Sequence, residues 1–134
     1  MNAYPGLHPE FRERFRFVND PAMLRAERRV TGGDYGATGY TTMEQANELA
    51  GCLELGRGRT LLDIGSGSGW PGIYLSASTG CTAVLTDPTL EGMAVAAERS
   101  RRDGLDTAAV VATGTNLPFK EGSFDASTSS DVFC

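Results

Sequence analysis

Asp63, Gly65, Gly67 and Gly69 occupy every second position of one short stretch, and a second acid, Asp87, closes the next apolar run. Glycines at that spacing let a chain turn sharply and approach a ligand with no Cβ in the way. Pro71, just beyond them, suits the first turn of a helix. The loop should therefore end at a helix N-terminus, whose free N–H groups favour a carboxylate or phosphate. Asp87, if it stands beside the loop, can accept hydrogen bonds from both hydroxyls of a ribose, and its charge repels a 2′-phosphate. The chemistry indicated is recognition of an adenosine with a free diol. No Ser/His/Asp set competes, because the lone His8 lies in a Pro-rich terminus. Cys52, Cys81 and Cys134 are odd in number, far apart and without C-x-x-C spacing, so neither a disulfide framework nor a zinc site is indicated.

The elements needed to hold these residues are readable around them. Leu61 to Ile64 has the length of a buried parallel strand running into the loop. Ile73, Tyr74 and Leu75 continue a short helix that stops at Gly80, and Thr82 to Thr86 forms the second strand, with Asp87 at its end. In a parallel βαβ unit the carboxyl ends of both strands lie side by side, so Asp87 should face the Gly65 to Gly69 loop. Pro88 follows Asp87, which also fits a simple helix cap. Leu90, Met93, Ala94 and Ala97 give the next helix an apolar stripe, with Arg99, Arg101 and Arg102 as solvated cations at its C-terminus and Gly104 as the stop. Ala108 to Ala112 reads as a third strand, and about Phe124 to Ser130 as a polar fourth.

Two cofactor frames fit the loop. Gly67 to Gly72 spells the dinucleotide pattern G-x-G-x-x-G, but it starts late relative to its strand. The frame D-x-G-x-G-x-G from Asp63 starts at the strand's end, and here the sequence resembles the class I S-adenosylmethionine-dependent methyltransferases. Thr113 to Phe119, followed by Phe124-Asp125, is similar to the family's segment after the third strand, although Thr113 stands where an acid is common. Thr31 to Tyr40 loosely resembles a tyrosine-containing loop that folds over the cofactor in small-molecule members. The resemblance implies an α/β Rossmann-like parallel sheet with helices on both faces, of which only strands 1 to 4 are readable. It also implies S-adenosyl-L-methionine as cofactor and a small-molecule methyl acceptor. Gly65, Gly67 and Gly69 would line the methionine part, Asp63 its amino group, Asp87 the ribose, and Thr113, Gly114 and Thr115 the adenine. Ser66 and Pro88 adjoin these contacts, Tyr35, Ala37 and Thr38 would add to them, and Asp131 would stand near the methyl group as a base or acceptor-orienting residue.

The rest of the chain bounds this reading. Its 134 residues, 40% hydrophobic and 22% charged, suit one globular domain. A formal net charge of -5 argues against a general binder of nucleic acid or anionic membrane. No apolar run approaches the roughly 20 residues of a membrane span, and Met1 to Glu10 carries no signal-like apolar region; a cytoplasmic location is expected. Phe11, Phe15 and Val18 share one face of a basic N-terminal helix. Asp20-Pro21 should start a second helix, so residues 1–40 read as a helical lid and 41–134 as a partial cofactor-binding domain. Thr42-Met43-Glu44-Gln45 has the form of a capping box, and Met43, Ala46, Ala50 and Leu53 give its helix a core face ending at Gly56 and Gly58. A sheet that ends at strand four exposes an edge that invites pairing with another copy. The expectation is thus a piece of a longer methyltransferase. A catalytically inactive cofactor-binding or interaction module and a nicotinamide-dependent oxidoreductase are the alternatives.

Overall fold

The computed structural model describes residues 9–132, so His8 and Cys134 lie outside the described residues. Its centre is a four-stranded parallel sheet ordered β3-β2-β1-β4, with β1 at Thr60–Ile64, β2 at Thr82–Asp87, β3 at Thr107–Val111 and β4 at Ala126–Thr128. Leu62 is level with Val84 on one side and Ser127 on the other, which aligns the carboxyl ends of β1 and β2.

Two crossover helices, α4 (Gly72–Thr79) and α5 (Leu90–Arg102), join the strands. Both connections step the same way along the sheet, and right-handed crossovers then put both helices on one face. Accordingly Ile73 and Leu75 of α4 and Met93 and Ala96 of α5 share a single core with Leu61, Ala83 and Leu85 of the sheet. The described part of the fold supplies the helices of that face. β4 is shorter at both ends than the sequence predicts, and just ahead of it Asp125 meets Thr60 through its backbone N–H, at 3.0 Å to Thr60 O, and through its side chain. Its Oδ2 accepts from the Thr60 N–H at 2.8 Å and from the Thr60 hydroxyl at 3.0 Å.

Ahead of β1 lie α1 (Pro9–Glu13), a 3-10 turn (Arg14–Phe17), α2 (Pro21–Val30) and α3 (Met43–Cys52). Asp20 caps α2 as expected, its Oδ1 accepting from the Ala22 and Met23 N–H groups. The capping box of α3 is also present, with Gln45 N–H donating to Thr42 Oγ1 and Thr42 N–H to Gln45 Oε1. Its end differs from the glycine stop expected. Glu54 takes the left-handed position at φ 51, while Leu55 N–H donates to Ala50 O and Glu54 N–H to Gly51 O, the pattern that closes a helix when the residue after the cap turns left-handed.

The apolar stripe expected on α5 is out of phase. Leu90 is 61% exposed, and the buried face is Gly92, Met93, Ala96 and Ser100. Gly92 sets this phase: a Cβ there would lie 2.6 Å from Thr89 Oγ1, 2.8 Å from Gly67 O and 2.9 Å from Phe15 Cζ, so only glycine lets α5 approach the loop so closely. Turning the helix in this way carries Arg99 inward. Rather than a solvated helix end, its guanidinium stacks on Tyr35 at 3.9 Å and donates to Asp34 O at 2.8 Å and Asp34 Oδ1 at 3.2 Å.

Candidate functional site

The glycine loop begins where β1 ends and is held from two sides. Gly65 and Ser66 both donate backbone N–H bonds to Thr86 O, at 2.7 and 2.9 Å. Gly67 N–H donates to Asp87 Oδ2 at 3.0 Å. Gly67 is at φ 55 and Gly69 at φ 101, in the left-handed half of backbone space that side chains resist. Asp87, only 8% exposed, thus stands beside the loop as its position in the sequence implies. Its Oδ1 accepts from the Thr89 N–H at 2.9 Å and from the Thr89 hydroxyl. A carboxylate has about four lone-pair sites, and these three donors leave room for a further hydroxyl. Asp87 thus supports the turn into α5 and keeps an accepting position at the loop.

Asp63 does not stand on the ligand surface. Its side chain is fully buried, and Oδ2 accepts from Gly72 N–H at 2.8 Å, at the start of α4. Asp63 Oδ1 has no hydrogen-bond partner. Burial pushes this carboxyl well above the usual carboxylate range; the Gly72 N–H opposes the rise and the nearby Asp87 charge adds to it. The sequence led to an amino group of the cofactor as its partner; the partner within the fold is the Gly72 N–H, and the bond fixes the strand-to-helix turn. A Cβ on Gly72 would sit 2.6 Å from that same Oδ2, so glycine is needed for the close approach.

Asp131 lines a cavity beside the loop with one carboxylate oxygen already engaged. Its Oδ2 accepts from Tyr40 N–H, Thr41 N–H and the Thr41 hydroxyl, at 2.9, 3.0 and 2.9 Å. A proton-accepting role would compete with three donors, and the carboxylate instead fastens residues 40–41 to the end of β4. Tyr35 is half-buried. Its ring belongs to an aromatic group behind the loop, 5.0 Å from Trp70 and 6.2 Å from Tyr74 by ring centroids, and burial raises its phenol above the ordinary value.

Other candidates are brought together. Thr38, Ala37, Gly65 and Ser66 line one small cavity of about 80 Å³ with Asp131 and Trp70. Ser66 is buried, and its hydroxyl faces Thr86 O. Pro88 is half-buried next to Asp87. The turn through Thr113, Gly114 and Thr115 is tied beside Asp87, because Ala112 N–H donates to Asp87 O at 3.1 Å and the Thr113 and Thr115 hydroxyls face each other at 3.2 Å.

The N-terminal segment supplies residues that sequence periodicity places on a helix face but not on the site. Phe15 packs on Gly67 and Gly92, Val18 on Gly36, and Arg12 Nε donates to Glu91 Oε1 at 2.9 Å. That bond is the main cause holding the Glu91 carboxyl below its ordinary value. Phe11 and Arg14 reach the cavity from the same segment, and Trp70, whose Nε1–H donates to Thr41 O at 2.9 Å, walls it from the loop. Their only sequence signal is the amphipathic pattern of Phe11, Phe15 and Val18.

The comparisons agree with this architecture. The family model described as a methyltransferase domain matches residues 62–134. Among solved structures, the chain is similar to a SAM-dependent methyltransferase from Thiobacillus denitrificans in complex with S-adenosyl-L-homocysteine, at 20% identity and a TM-score of 0.59, covering 68% of this chain and 37% of that one. It is also similar to the YcgJ protein from Bacillus subtilis, at 26% identity and a TM-score of 0.57, covering 62% and 36%. The MccD protein gives 19% identity and a TM-score of 0.60, covering 62% and 37%. In each case the chain spans little more than a third of the other's length. No curated protein matches it. The family model covers more than half of the chain, and the parallel sheet, glycine loop and Asp87 agree with it: this chain belongs to the methyltransferase domain family, the class I S-adenosylmethionine-dependent methyltransferases.

Proposed function

We propose that this chain binds S-adenosyl-L-methionine at the carboxyl ends of β1 and β2 and transfers its methyl group to a small-molecule acceptor. The observation that carries the reading is the bond from Gly67 N–H to Asp87 Oδ2, which joins a backbone that can approach a ligand closely to a carboxylate with accepting capacity to spare. The carboxylate's one remaining acceptor site suits a ribose hydroxyl, and its negative charge disfavours a 2′-phosphate. Bound at the loop, the cofactor would supply a sulfonium-activated methyl carbon, to which an acceptor lone pair can bond as the C–S electron pair leaves on sulfur.

The chain's own residues bind, orient and exclude water. Asp87 would accept from the ribose, the 113–115 turn would border the adenine, and Thr38, Ser66 and the glycines would line the methionine part. Phe15 and Trp70, both buried against the loop, would keep the site dry. Among the described residues no group of three or more His, Cys, Asp or Glu could hold a metal, and no helix is long and apolar enough to cross a membrane.

A second reading, cofactor binding without turnover, draws support from the three donors already on Asp131. Incubation with methyl-labelled cofactor and a panel of small N, O, C and S nucleophiles separates the two. Label in an acceptor together with S-adenosylhomocysteine supports transfer, whereas saturable binding with no product across the panel supports the second reading.

A further inference from the structure

We propose that the N-terminal segment is an autoinhibitory plug: Phe15 fills the space over Gly67 through which a ribose would reach Asp87, and the Arg12 to Glu91 pair latches it there. This rests on the cofactor reading above. A Cβ built on Gly67 would meet Phe15 Cε1 and Thr38 Oγ1, each at 3.6 Å, so the space that the glycine clears is already taken by this chain. The same ring reaches Gly92, where a Cβ would stand 2.9 Å from Phe15 Cζ and 2.6 Å from Thr89 Oγ1. It therefore packs near Thr89, whose N–H and hydroxyl both donate to Asp87. Phe15, Gly67, Asp87 and Thr89 are all buried, and the acceptor that Asp87 keeps lies in a patch that the ring helps to close.

The opening that remains is too small for the ligand. The cavity beside the loop holds about 80 Å³, and neither Gly67 nor Asp87 lines it; small-molecule sites take roughly 300 Å³ or more. An adenosyl ligand therefore reaches the Gly67 and Asp87 pair only after Phe15 swings away. The segment's attachments suit a movable element. α1 buries no residue and the 3-10 turn buries only Phe15, while Val18, buried against Gly36, anchors the far end. The Arg12 to Glu91 pair is exposed on both sides, and such pairs contribute little. Segments with few buried contacts open locally at low cost. Binding is then selection of the open arrangement, and the apparent affinity falls by the fraction of chains that are open.

The test is calorimetric titration of the full chain with S-adenosylhomocysteine, in wild type, Phe15→Ala, Arg12→Gln and Phe17→Ala, each checked for folding by circular dichroism. Phe17, on the same turn but 59% exposed, controls for loss of an aromatic ring. With about one chain in ten or fewer open, Phe15→Ala should bind about 10-fold tighter or better. Loss of the exposed pair in Arg12→Gln should tighten binding by about 2- to 5-fold, and Phe17→Ala should leave it unchanged. Weaker binding in Phe15→Ala would make the ring a roof over the ligand, and unchanged binding would mean that it does not stand in the ligand's way. Either result overturns the inference and leaves the cofactor reading standing. Equal tightening in Phe17→Ala would trace the effect to general loosening of the segment and overturns the plug as well, and unchanged or weaker binding in Arg12→Gln overturns the latch. No binding by any folded variant refutes the cofactor reading and this inference with it.

Discussion

Replacing Gly69 by alanine separates the two demands that the loop makes on its backbone. At φ 101 a side chain is strained by about 1 to 3 kcal/mol. The added Cβ also has nowhere to go, meeting the Ile73 side chain, with Cγ1 at 2.7 Å, and Ala96 Cβ at 3.2 Å. Ile73 and Ala96 are both fully buried, so neither can swing into solvent, and overpacking of that kind adds about 1 to 3 kcal/mol. Gly104 is the matched control. It too is left-handed, at φ 65, but a Cβ there meets nothing within 4 Å, leaving a backbone cost of about 1 to 2 kcal/mol. Gly69→Ala should therefore exceed Gly104→Ala by about 2 kcal/mol, which at an m-value of about 1.5 kcal/mol/M moves the urea midpoint about 1 M further. Equilibrium unfolding followed by circular dichroism measures both. Equal losses in the two variants would refute the claim that the loop, α4 and α5 meet in close contact at Gly69.

Asp63→Asn tests the buried carboxyl. Because its folded pKa is raised, the native state keeps a proton that the unfolded chain releases near 3.9; the stabilisation is complete below that value and is lost as pH rises through the folded pKa. Within that window the wild type should lose about 1.4 kcal/mol per pH unit from this group, and urea titrations from pH 4 upward should show the slope removed in Asp63→Asn. An unchanged slope would place the proton elsewhere. Asp131→Ala removes the acceptor for Tyr40 and Thr41, so amide exchange at those two positions should accelerate at least about 10-fold while core amides of β1 hold their protection; uniform acceleration would contradict a local latch.

The βαβ core could be read from the chain because each of its signals is local. The strand, the three glycines and Asp87 follow in the order that a parallel unit demands, and the Thr42 to Gln45 box names its own hydrogen bonds. What could not be read depends on partners distant in sequence. Asp63 and Asp131 are correctly near strand ends, but only the folded chain decides that one meets the Gly72 N–H and the other Tyr40 and Thr41. The phase of α5 is set by Gly92 against Gly67 and Phe15, a contact that apolar counting within the helix cannot reveal. Arg99 illustrates the same limit, since its position suggests a solvated helix end until Asp34 and Tyr35 are placed around it.

The most direct test of the central claim is calorimetric titration of the chain with S-adenosylhomocysteine, beside Asp87→Ala, with both proteins checked for folding by circular dichroism. Loss of the carboxylate at the loop should weaken binding by at least about 10-fold. Wild-type affinity in a folded Asp87→Ala chain, or no binding by the folded wild type, would contradict the assignment of the Gly67 and Asp87 pair as the cofactor site.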